Sequence, residues 1–102
     1  MPIPEPNLYP PFNIVRLSHV EYGVTDLAAS RAFYVDTLGL QVTEETEDTL
    51  CLRAMEERGH HCMVLRKSGV ADVRYLSYKV YSEEDLDRAH DWFVSEGHAV
   101  EW

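Results

Sequence analysis

Three apolar side chains of one stretch, Leu27, Phe33 and Tyr34, return as Leu86, Trp92 and Phe93, each 59 residues further on. Gly39 returns as Gly97 at a separation of 58, and Val24 as Val80 at 56. Helix anchors and helix-ending glycines that recur in one register are the mark of a duplicated folding unit. A unit that begins near Ile14 and repeats after about 58 residues starts again near Asp72 and runs to about residue 130. The sequence stops at Trp102. The expected organisation is a proline-rich arm over 1–13, a first unit over 14–71 and the opening of a second over 72–102. A sheet built from one and a half units leaves unpaired strand edges. The expectation is therefore a fragment, or a chain whose missing strands come from a partner.

Within the first unit the pattern reads βαβββ. Residues 14–24 alternate, with Val15, Leu17, His19 and Glu21 on one face and Arg16, Ser18, Val20, Tyr22 and Val24 on the other. Thr25 or Asp26 is placed to cap a helix whose apolar face holds Leu27, Phe33, Tyr34 and Leu38, with Gly39 past its end. Leu40–Thr43, Thr49–Arg53 and His61–Arg66 read as strands, separated by turns at 44–48 and 56–59. The second unit opens with a strand over Val73–Val80 and a helix capped by Ser82, with Asp85 three residues on and Glu83 and Glu84 between them. Leu86, Ala89 and Phe93 form that helix's expected buried stripe, and Ala99–Trp102 reads as the opening of a further strand. The fold class is α+β. All five prolines stand at positions 2, 4, 6, 10 and 11, so residues 1–12 are expected to be an extended arm lying along a surface through Ile3, Leu8, Tyr9 and Phe12.

Composition narrows the function classes. Nine Lys and Arg against eighteen Asp and Glu leave a net charge of −9, which argues against nucleic-acid or anionic-membrane partners. No apolar run approaches the ~20 residues of a membrane helix, and the start lacks the basic and apolar regions of a signal peptide. Cys51 and Cys62 are too few for a disulfide scaffold and read as small buried thiols in a cytoplasmic protein.

The run from Leu17 to Leu40, with Val24-Thr-Asp-Leu27, Phe33-Tyr34 and Leu38-Gly-Leu40 at its centre, resembles the opening of a vicinal-oxygen-chelate module. That superfamily holds glyoxalases, bleomycin-resistance proteins and extradiol dioxygenases, and its fold pairs βαβββ units. Val42-Thr-Glu-Glu45, Leu50-Cys-Leu-Arg53, His60-His61, Val64-Leu-Arg66 and the proline-rich leader are similar to the N-terminal module of type I extradiol dioxygenases of the homoprotocatechuate group. The resemblance implies a full-length enzyme that opens a catechol ring with O₂ at an Fe(II) or Mn(II) held by two His and one Glu. It also implies that this metal sits in a C-terminal module, that the N-terminal module is non-catalytic, and that the enzyme is an oligomer. The other reading is a free-standing small-molecule-binding module of the bleomycin-resistance type, dimeric by strand exchange, whose acidic surface suits a cationic ligand. Its partner is then a second copy of the chain.

No catalytic, cofactor or metal residue is assigned. His19 stands where metal-bearing modules place their first ligand, but the corresponding second position is Tyr75 and the third lies beyond Trp102. One ligand of three is no site. His60 and His61 are adjacent, and in a strand they point to opposite faces, although one of them could meet His19 across the sheet. His90 and His98 are expected to be solvated. The carboxylates of 44–48 and 83–87 sit at a turn and a helix start, where solvated charge is the ordinary state. Trp92, Phe93 and Trp102 read as core or interface.

Overall fold

The computed structural model describes residues 2–102. Five strands, β1 (Ile14–Val24), β2 (Gln41–Glu45), β3 (Thr49–Arg53), β4 (Met63–Lys67) and β5 (Asp72–Val80), form one sheet in the order β2-β3-β4-β1-β5. β2 with β3 and β3 with β4 are antiparallel, and β1 runs parallel to β4 with Glu21 opposite Val64. A parallel pair needs a crossover, and the helical segment with the β2–β3 hairpin supplies it. The chain packs as two compact units. One is Leu17–Tyr78; the other joins the segment up to Arg16 to Lys79–Trp102.

Leu50, Leu52 and Leu65 are fully buried at the centre of the first of these. Tyr22, Val24, Leu27, Tyr34, Val35, Leu40, Val42 and Met63 close around them. Strand alternation puts all three leucines on the face covered by the helical segment. That segment starts as expected, with Asp26 accepting from the Ala29 N–H at 2.9 Å. It then departs from the regular period: α1 covers only Leu27–Arg31, and Ala32–Thr37 forms a π-helix in which the Leu38 N–H reaches the Phe33 carbonyl at 3.0 Å. The wider turn rotates later side chains relative to a 3.6-residue period. Leu27 and Tyr34 stay on the core, whereas Phe33 and Leu38 are turned to solvent, 51% and 57% exposed. Gly39 follows in the left-handed region at φ +80°.

In the second unit α2 (Glu83–Ser95) is capped as the sequence indicates, Ser82 accepting from the Asp85 N–H at 3.2 Å, and Gly97 ends it at φ +87°. Its buried residues are Asp85 and Ala89, while Leu86 and Phe93 of the expected stripe remain part exposed. Ala99–Trp102 is irregular and not a strand. The tail folds onto α2 instead, with the Trp102 ring stacked on His90 at 4.8 Å, so His90 is not freely solvated. His98 is exposed, as expected, with its ring 5.7 Å from that of Phe93. The arm holds no helix or strand over 2–13. Ile3, Leu8 and Tyr9 are almost fully exposed, and only Phe12 packs, on Trp92 and Phe93 at 5.9 and 5.7 Å.

Candidate functional site

The sheet face opposite the leucine core carries the polar side chains of the Leu17–Tyr78 unit. From β1 come His19 and Glu21, from β3 Cys51, and from β4 Arg66. Alternation accounts for the division, because Val20 and Tyr22 must face the core if Glu21 does not. Glu21 is nearly buried, and Arg66 answers it with an Nη2 to Oε1 contact of 3.0 Å. That hydrogen bond and the carboxylate charge push the guanidinium above its ordinary pKa. Burial and the carboxylate of Glu44 raise the Cys51 thiol, holding it protonated.

At the other end of this face three imidazoles and a phenol meet. His19 Nε2 is 3.3 Å from the Tyr75 hydroxyl, and its Nδ1 is 3.2 Å from Ser18 Oγ. The His61 ring stands edge-on to His19 at 4.6 Å, and the His60 ring stands perpendicular to His61 at 5.2 Å. His60 Nδ1 and His61 Nδ1 are 2.9 Å apart, and His60 Nε2 lies 3.9 Å from the Glu44 carboxylate. The expectation that adjacent histidines point apart fails here. β4 begins only at Met63, so His60 and His61 lie in irregular chain free of strand alternation. Burial, with His19 and His60 alongside, lowers the His61 pKa against the smaller opposite pull of Glu44.

The donors do not fit a two-His, one-carboxylate metal triad. His19 has Tyr75 beside it where a second imidazole is needed, and among the described residues no group of three or more His, Cys, Asp or Glu side chains converges on a point. Elsewhere in this unit, Tyr22, Gly23, Val24, Tyr34, Ala71, Asp72 and Val73 line an open depression of about 350 Å³. A Cβ at Gly23 would meet the end of the Asp72 side chain, which would have to swing aside. β5, at one end of the strand order, leaves Val73, Tyr75, Leu76 and Tyr78 about half exposed, on both of its faces. No helix among the described residues is long and apolar enough to cross a membrane.

A family profile described as the Glyoxalase/Bleomycin resistance protein/Dioxygenase superfamily matches residues 16–101. The chain belongs to this superfamily. Solved structures of homoprotocatechuate 2,3-dioxygenase are similar to it. The Brevibacterium fuscum enzyme in complex with 3,4-dihydroxyphenylacetate is 42% identical at a TM-score of 0.84, covering 98% of this chain and 31% of that one. The Arthrobacter globiformis enzyme is 45% identical at 0.84, covering 93% and 30%. Among curated relatives, metapyrocatechase of Geobacillus stearothermophilus is 29% identical over 78% of this chain and 24% of its own length. A manganese-dependent 2,3-dihydroxybiphenyl 1,2-dioxygenase of Geobacillus genomosp. 3 is 26% identical over 87% and 28%. This superfamily member thus spans roughly a quarter to a third of the dioxygenases it matches.

Proposed function

We propose that this chain is the N-terminal, non-catalytic module of a type I extradiol catechol dioxygenase of the homoprotocatechuate type. The observation that carries the reading is the 42% identity across 98% of the chain to an enzyme of which it covers only 28%. In this reading residues 1–13 are an arm, 14–71 one βαβββ unit and 72–102 the opening of a second. Catechol and O₂ react at an Fe(II) or Mn(II) that another module holds, in a cytoplasmic homo-oligomer. This chain supplies no ligand to that metal, in keeping with the Tyr75 phenol beside His19. Its own contribution is a rigid leucine-centred sheet and an exposed β5 on which further strands pair. Intact-mass measurement on the protein from its native cells tests the module reading. The expected polypeptide is about three and a half times as long as these residues, since they cover 28% of the related enzyme. A native species of 102 residues contradicts it.

The second reading, a free-standing binding module that dimerises by exchanging strands, draws on the same exposed β5. A native 102-residue species that elutes as a tight dimer favours it.

A further inference from the structure

We propose that His60 and His61 form a chelating pair for a tetragonal, nitrogen-preferring divalent cation of the Cu(II) or Ni(II) class. Their Nδ1 atoms lie 2.9 Å apart. At that distance one Nδ1 donates its N–H to the lone pair of the other, so both nitrogens are aimed at a shared point. A metal ion bound to both nitrogens takes that proton's place off the N···N line, each ring turning to aim its lone pair at the ion and the displaced proton passing to the other nitrogen of its ring. Two nitrogens at right angles around an ion, each bonded at about 2.0–2.1 Å, are themselves about 2.9 Å apart.

The surroundings prepare both rings as ligands. His60 Nε2 is turned toward the Glu44 carboxylate at 3.9 Å, beyond hydrogen-bond distance, and the negative charge there favours a proton on Nε2, which leaves Nδ1 as the coordinating nitrogen. The His61 ring is held edge-on against His19, which is itself fixed between Ser18 and Tyr75. The groups that face His61 are His19, His60 and Glu44. The His60 side chain is 56% exposed, so an ion reaches the pair from solvent and water completes its coordination. With two protein ligands the ion is exchangeable, not a structural centre.

Cu(II) titration of the full chain tests this, read by electron paramagnetic resonance. One equivalent is expected to give a tetragonal signal with coupling to two imidazole nitrogens. His60→Gln and His61→Gln should each weaken binding by about tenfold or more and leave one coupled nitrogen, while His19→Gln keeps both. Nickel-induced broadening of the His60 and His61 ring resonances in the unaltered chain gives the same answer without a variant. Absence of Cu(II) binding, or binding unchanged in both the His60 and His61 variants, overturns the proposal.

Discussion

Asn13 and Asp85, 72 positions apart, are joined twice through one oxygen: the backbone N–H and the side-chain Nδ2 of Asn13 both donate to Asp85 Oδ1, at 3.0 and 3.1 Å. The Ser82 hydroxyl donates to Oδ2 at 2.8 Å, and Arg88 lies 3.6 Å away. The Asn13 carbonyl in turn accepts from the Tyr81 N–H at 3.0 Å. One carboxylate therefore closes the helix start and pins the root of the arm to it.

The Ser82 hydrogen bond, against the cost of burial and with help from Asn13 and Arg88, holds the Asp85 pKa below its ordinary 3.8. A depressed acid stabilises the fold above its unfolded pKa, and that contribution disappears as pH falls through the folded value. Asp85→Asn should lower the melting temperature at neutral pH, and the gap to the unaltered chain should close as the pH drops below about 4. A gap that is constant with pH contradicts the charged latch. Ser82→Ala removes the cap acceptor and should cost about 1 kcal/mol.

Core and π-helix make opposite predictions for two apolar residues. Leu65→Ala leaves a cavity among fully buried leucines and should cost about 2–5 kcal/mol by denaturant unfolding. Phe33→Ala truncates a ring that is half exposed, and should cost under about 1 kcal/mol. Equal losses would mean that Phe33 belongs to the core.

His61 should titrate below the ordinary 6.5 in an NMR pH series. His19→Ala removes a neighbour that lowers it and should move the midpoint back up, whereas Glu44→Gln removes the opposing carboxylate and should move it further down. The stability that comes from keeping this ring neutral is present above about pH 6.5 and is lost as the pH falls through the folded value.

The two thiols should differ in reactivity. Cys51 is buried, with its pKa raised by that burial, while Cys62 is only partly covered. Iodoacetamide should label Cys62 first and Cys51 only on unfolding, as followed by peptide mass mapping.

Local chemistry made much of this readable. Thr49–Arg53 alternates in a short run and is β3 end to end, and Ser82, Gly39 and Gly97 mark helix limits because capping and left-handed turns need those residue types. The misses are non-local. Nothing in the spacing of Leu38 announces a π-turn, because Leu27, Tyr34 and Leu38 satisfy an ordinary helical stripe, whereas Phe33 stands about 100° or more from that stripe even at 3.6 residues per turn. His60 and His61 meet because β4 starts two residues later than its apolar pattern implies. Asn13 and Asp85 are too far apart in sequence for any local rule to join them. Trp102 ends a strand-like run that finds His90 to stack on. At the candidate site, the contact between His19 and His61 was open to anticipation from the sheet, but the meeting of His60 with His61 was not.

Ring opening of 3,4-dihydroxyphenylacetate, supplied with Fe(II) and O₂ and followed by the yellow semialdehyde product, tests the central claim most directly. Run side by side on the native protein and on the purified 102-residue chain, the assay should show colour from the native protein alone. Yellow product from the 102-residue chain by itself would contradict a non-catalytic module.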